Sequence, residues 1–298
     1  MQARVVALSA LVLLSACASD QTPDLKQAPP PAALNAQAKE PGGSVDGKAL
    51  AAALAGAHRP AAEVARDSQR HPAETLTFFG VRASDVVVEI TPGGGWYTQV
   101  LAPYLASGGG RYVAALGDPA ASERAAQALA AYKAKFADEA VYGRVETSVF
   151  TRSGAPACAP ESADVVLTFR NVHNWMGGGF NDEAFKSFYG CLKPGGVLGV
   201  VEHRLNEDAN QDPQAGSGYV KESVVIGAAL RAGFKLAGRT EINANPKDTK
   251  DHPFGVWTLP PVSRTSAFGQ PDNPAFDRSK YDAIGESDRM TLKFVKAS

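Results

Sequence analysis

Apolar and polar positions follow two different periods along most of this chain. Short apolar runs, several of them β-branched, recur at residues 86–90, 111–116, 144–150, 164–169, 197–201 and 234–242. Between them lie stretches whose apolar residues return every three or four positions, such as Phe185, Phe188, Tyr189 and Leu192. Runs of the first kind, bounded by turn residues and separated by helical patterns, predict buried parallel strands joined by crossover helices. Residues 289–296 instead alternate one by one and predict an edge strand, the antiparallel seventh. The fold class is therefore α/β, a doubly wound seven-stranded sheet, mostly parallel with an antiparallel last strand.

Local signals place the helices. Pro60 suits a first helical position ahead of residues 61–69, and Gly80 closes a helix over 73–79. Asp118 before Pro119 is a well-formed N-cap for an Ala-rich helix running to residue 137. Asn181 caps the helix that carries Phe185 and Phe188, and a further helix spans 219–233. The charged group Arg66, Asp67, Arg70 and His71 reads first as a solvated helix face and second as a ligand-facing cluster.

Residues 86–98 organise the rest. The run Val86-Val87-Val88-Glu89-Ile90 meets Thr91-Pro92-Gly93-Gly94-Gly95 and leaves through a helical segment from Trp96 to Leu105. A strand, a glycine-rich turn and a helix start hold nucleotide-like ligands, because glycine lets the backbone approach and the helix offers free N–H groups. Glu89 at the strand end would repel a pyrophosphate and welcome a cationic ligand. Further on, Leu192-Lys193-Pro194-Gly195-Gly196 stops a helix and reverses the chain into an apolar strand.

Together these stretches resemble class I S-adenosylmethionine-dependent methyltransferases, whose first motif reads acid-x-Gly-x-Gly-x-Gly. Glu89, Gly93 and Gly95 match it, and Thr91 stands where the first glycine should be. The Leu-Lys-Pro-Gly-Gly turn is the most specific match, and the resemblance covers roughly residues 60–297. It implies a Rossmann-like sheet and S-adenosylmethionine as cofactor, with Glu89 facing its cationic end and Asp118 its ribose. Thr91, Pro92, Gly93, Gly94 and Gly95 would pack against the cofactor, with Asn171 nearby. The family often places an acid after the third strand; Thr151-Arg152-Ser153 supplies none. Arg170-Asn171-Val172-His173-Asn174-Trp175 falls where cofactor and substrate meet, and His173 is the expected base.

A loop at 206–218 and a lid-like insert at about 245–288 follow, the latter expected over the cofactor side. It brings Asp251 and His252 as further acid–base candidates. A polar crevice holding His173 favours an enzyme; a crevice plugged by Trp96 or Trp257 favours a fold kept as a scaffold. No metal site is expected. Tyr189 and Lys193 have dehydrogenase spacing, but Tyr189 lies on an apolar face and Lys193 precedes a helix-stopping proline. A nicotinamide-dependent reading also lacks the last glycine of its motif, since Thr98 stands there.

The chain's start changes where this chemistry is expected. Arg4, an apolar run from Val5 to Leu14, and Leu14-Ser15-Ala16-Cys17 resemble a bacterial lipoprotein signal with Cys17 as the lipidated residue. A simple secretory signal is the rival. Residues 1–17 would then be signal, 18–46 a Pro- and Gly-rich tether, and 47–298 the methyltransferase-like domain. Ala18 favours the outer membrane, giving a periplasm-facing lipoprotein held by its lipid alone. A net charge of −1 argues against nucleic acid as a partner, so the acceptor is expected to be a small molecule or an envelope component. Cys158 and Cys191 could pair or stay free.

Overall fold

A computed structural model describes residues 45–297; the expected signal segment with Cys17, and the expected tether up to residue 44, lie outside the described residues. Asp46 accepts hydrogen bonds from the Lys48 and Ala49 backbone N–H groups, capping the helix Gly47–Leu54. Eight strands follow: β1 (Val86–Ile90), β2 (Arg111–Leu116), β3 (Val145–Val149), β4 (Ala163–Phe169), β5 (Leu192–Leu205), β6 (Val220–Lys221), β7 (Phe234–Thr240) and β8 (Arg289–Lys296). Seven lie in the order β3-β2-β1-β4-β5-β8-β7, and the two-residue β6 pairs with the end of β5. The first five of that order are mutually parallel, while β8 is antiparallel to both neighbours.

That position corrects the expectation of an edge strand. β8 pairs with β5 from Val197↔Val295 to His203↔Arg289 and with β7 on its other side. Its charged residues face internal partners: Lys296 Nζ donates to the Leu192 and Tyr189 carbonyls, and Arg289 is buried. Alternation here marks polar groups with partners inside the protein, a distinction periodicity alone does not make.

Both sheet faces are covered. Val88, Ile90, Val166, Leu198 and Phe294 pack toward helices Asn181–Cys191 and Glu222–Arg231. Val87, Leu167 and Val197 pack toward Phe79, Val100, Leu101 and Tyr104 of helices Pro72–Phe79 and Thr98–Ser107. Helix boundaries moved where local capping won. The helix expected from Asp118 is one 3-10 turn, Pro119–Ala121, and restarts at Ser122, whose hydroxyl accepts from Ala125 N. The 61–69 stretch divides into Ala61–Val64 and Asp67–Arg70. Phe180, not Asn181, takes the cap position of its helix, and the 219–233 helix begins only at Glu222 because Val220 and Lys221 pair with β5. No helix among the described residues is long and apolar enough to cross a membrane.

The chain leaves β1 for β2 on one side and returns as β4 on the other. The order therefore reverses between β1 and β4, and ligands of such sheets sit beyond the strands' carboxyl ends at that reversal.

Candidate active site

The turn after β1 is built around left-handed backbone. Thr91, Gly93 and Gly95 have φ of +51°, +59° and +78°. Glycine takes this conformation freely, whereas β-branched Thr91 is strained there, at the position where the family motif carries glycine. A Cβ added at Gly93, Gly94 or Gly117 would meet nothing within 4 Å, so the turn borders open space. Gly95 differs: its Cβ would lie 2.3 Å from the Phe136 ring, so its smallness serves packing.

A crevice of about 270 Å³ opens beside this turn, lined by Thr91, Gly117, Phe150, Thr151, Arg152, Asn171, Asn174, Trp175 and Phe180. These residues come from the carboxyl ends of β1 to β4 and the short helix Val172–Gly178. Asn171 ties two of those ends together, its Nδ2 donating to Ile90 O at 3.0 Å and Thr168 Oγ1 at 3.2 Å. Asp118 is half-buried and caps the turn after β2 by accepting from Ala120 N at 2.8 Å. Beyond β3 the crevice wall carries Arg152, its guanidinium 4.9 Å from the Phe180 ring centre, where the family often has an acid.

Glu89 lies elsewhere than expected. Along β1 it shares the face of Val87, so it points beneath helix Thr98–Ser107 and is 2% exposed. Its Oε2 accepts from Tyr112 Oη at 2.5 Å, and Thr98 Oγ1 joins Tyr112 and Tyr132 in the same hydroxyl cluster. Burial pushes its carboxyl up to about 7, against the hydrogen bonds from Tyr112 and Thr98. An acid raised above its unfolded value loses stability as pH climbs through that window. Glu89→Gln should therefore be near neutral at about pH 4 and stabilising by up to about 3 kcal/mol at about pH 8. Thermal unfolding of both proteins across this range checks it; a difference that does not grow with pH contradicts it.

A second cavity, about 240 Å³, adjoins the first through Asn174. Its lining combines Arg170, His173, His203, Glu286 and Ser287 with Val256, Trp257, Leu259, Pro260, Pro261 and Val262 of the insert. The insert thus closes over this cavity, with Trp257 as a wall. His173 sits in the helix Val172–Gly178, a short element the sequence pattern left as loop. Its Nδ1 lies 3.0 Å from Glu202 Oε1. Glu202, fully buried at the end of β5, also accepts from the Val172, His173 and His203 backbone N–H groups. A carboxylate only accepts, so Nδ1 of His173 is the donor of this contact, and the Nε2 side of the ring is the one left for a substrate. That is the arrangement of a positioned base.

His203 Nδ1 lies 2.6 Å from Ser287 Oγ. Burial first, then the charges of His173, Arg170, Arg289 and Arg70, pushes its imidazole well below the usual range, keeping it neutral. His173, Glu202 and His203 bring possible ligand atoms within 4.8 Å of one another. The Glu202 carboxylate is already spent on three backbone donors and an imidazole, and arginines crowd the site. The donor set favours an oriented histidine over a metal centre.

Other candidates lie apart from both cavities. The His252 side chain is fully buried, Nε2 being 2.8 Å from Asp248 Oδ1, and Asp248 also accepts from Tyr219 Oη. Asp251 is exposed beside Thr249. Trp96 lies under Arg70 and Arg59, at 4.7 and 5.4 Å from its ring centre, and plugs neither cavity. The charged groups of the Arg66–His71 cluster are tied up in ion pairs rather than solvated. Arg66 and Arg70 pair with Glu286, Arg59 pairs with Asp67, and Arg70 is 3% exposed. Cys158 and Cys191 are free thiols.

Glu202, Arg170 and Glu286 had no assigned role in the sequence. The signal available was a polar burst at the end of an apolar strand, Glu202-His203-Arg204 after β5, matching the one after β4.

No family model and no curated protein matches the chain by sequence. Among solved structures it is similar to a putative sarcosine dimethylglycine methyltransferase from Galdieria sulphuraria, with a TM-score of 0.51 and 12% identity over 79% of this chain and 88% of that one. It is also similar to a SAM-dependent methyltransferase from Aquifex aeolicus, with a TM-score of 0.48 and 15% identity over 60% of this chain and 87% of that one. At such identities the shared property is architecture. The fold is that of the class I S-adenosylmethionine-dependent methyltransferases.

Proposed function

We propose that this protein transfers a methyl group from S-adenosylmethionine to a small-molecule or envelope acceptor. One observation carries the reading: a crevice at the sheet's reversal point shares Asn174 with a second cavity beyond β4 and β5, and that second cavity contains a histidine oriented by a buried carboxylate. Bound there, S-adenosylmethionine supplies a sulfonium-linked methyl for in-line displacement, a reaction that needs mainly proximity and orientation. The open backbone of Thr91, Pro92, Gly93, Gly94 and Gly117 would take the cofactor, with Asn171 beside it. Asp118 offers an acceptor for ribose hydroxyls, and Phe150, Trp175 and Phe180 an apolar wall for the base. Glu89, held under the turn by Tyr112, would act on the cofactor by supporting Thr91 and Gly93 rather than by contact. His173 Nε2 would take the proton from a hydroxyl or ammonium acceptor, Glu202 holding the ring. His252 would support the insert from Asp248.

A signal-like start would put this activity at the envelope, with Cys17 lipidated, residues 18–46 as tether and the domain facing the periplasm. S-adenosylmethionine is made in the cytoplasm, and Arg152 stands where an acid is usual. Those two observations favour a second reading, an envelope-tethered binding module that keeps the fold without the chemistry. Calorimetric titration of the full-length chain with S-adenosylmethionine and, separately, NAD distinguishes them. Micromolar binding of the first alone supports the transferase. Binding of neither leaves the module.

A further inference from the structure

The cavity beside His173 carries a positive charge that the protein does not neutralise. Arg66, Arg70 and Arg289 all hydrogen-bond Glu286, whose side chain is 5% exposed, and Arg66 also takes Glu63. Glu202 is occupied by backbone and His173. Four guanidinium groups, counting Arg170, thus stand against three carboxylates, and among the described residues the Arg170 side chain has no hydrogen-bond or ion-pair partner. It lines the cavity. Arg70 Nη2 is likewise buried with no acceptor. Glu286 and Glu202 attract the Arg170 guanidinium from a distance without accepting from it, and donors left without an acceptor at a half-buried site are costly, so a guanidinium lining a cavity in this state points to a ligand that accepts from it. The backbone supports that aim. Arg170 has φ +62°, a strained conformation for a non-glycine residue, fixed by donation of its N–H to Val201 O at 2.7 Å.

The rest of the lining completes a recognition site. His203, Ser287 and Asn174 bring further polar groups to the lining, and Trp257, whose ring centre lies 5.9 Å from that of His173, adds an apolar surface with Pro260 and Pro261. Guanidinium matches planar oxyanions through paired N–H groups, and a cavity this size admits only a small molecule.

We propose that this cavity takes a small organic oxyanion, a carboxylate or phosphate paired with Arg170, whose apolar body lies against Trp257 and the Pro260–Pro261 edge. That this molecule is the methyl acceptor rests on the transferase reading; that the cavity binds it does not. The test uses the full-length protein and three probes of like shape: benzoate, phenyl phosphate and uncharged benzamide, each titrated by calorimetry without cofactor. Benzoate or phenyl phosphate should bind at least ~10-fold tighter than benzamide, and the better of the two identifies the oxyanion. Arg170→Gln should erase that preference while leaving S-adenosylhomocysteine binding unchanged, because Arg170 does not line the cofactor crevice. If circular dichroism shows that the variant has lost its fold, the wild-type comparison of acids with benzamide decides alone. Equal binding of all three probes, or no binding of either acid, overturns the proposal, as does an acid preference that survives in a folded Arg170→Gln protein. Acid binding with no S-adenosylmethionine binding would keep the pocket and remove the transferase.

Discussion

Glu286→Ala should lower the folding stability by about 3–5 kcal/mol, measured by urea unfolding at neutral pH. One carboxylate from the insert ion-pairs with three arginines: Arg66 and Arg70 from the N-terminal helices and Arg289 from β8. Its side chain and those of Arg70 and Arg289 are each no more than 5% exposed, so removal strands buried charge instead of loosening a surface pair. Burial alone would raise the Glu286 carboxyl, but Arg70, Arg289, Arg170 and Arg66 outweigh it and hold it down at about 2. For an acid held below its unfolded value of 4.5, the stabilisation is present above that value and is lost as pH falls through about 2. The gap between wild type and variant should therefore close across that acidic window. A loss under about 1 kcal/mol at neutral pH would mean the network is not the clasp described.

Glu202→Ala should cost a similar amount, about 3–5 kcal/mol, by a different route. Its carboxylate serves the Val172, His173 and His203 N–H groups and His173 Nδ1, all buried. Alanine leaves those donors without acceptors at the junction of β5 and the helix Val172–Gly178. Glu202→Gln should cost less, because one amide oxygen still accepts, yet it should disturb His173. Nitrogen NMR of the imidazole checks this: the wild type should show the proton on Nδ1, and the glutamine variant should lose that preference. An unchanged tautomer would remove Glu202 from the positioning role.

Much of the framework was legible in the chain because it rests on local rules. Apolar runs and Gly/Pro turns located β1, β2 and β4 closely and the middle of β5, a strand that extends from Leu192, through the stretch expected as a turn, to Leu205. Asn171 and His173 stand out as candidates because they belong to a polar burst at the end of a buried strand, and each lines a cavity there. What stayed hidden depends on distant partners. Glu286 lies 216 positions from Arg70, and only the folded chain brings them together. β8 read as an edge strand because Lys296 and Arg289 look solvated until their internal acceptors are known. Glu89 shows the opposite case. Its parity with Val87 already put it on the helix-covered face, but the motif resemblance pointed it at a ligand.

The central claim is that cofactor and acceptor occupy adjoining but separate cavities. It is tested most directly by titrating S-adenosylmethionine labelled with carbon-13 in its methyl group into the full-length protein and two variants. Gly94→Leu fills open space at the turn without demanding left-handed backbone, and His173→Ala alters only the second cavity. The account predicts a shifted bound methyl signal in wild type and in His173→Ala, and its loss in Gly94→Leu. A bound signal that survives in Gly94→Leu, or that never appears in wild type, would contradict it.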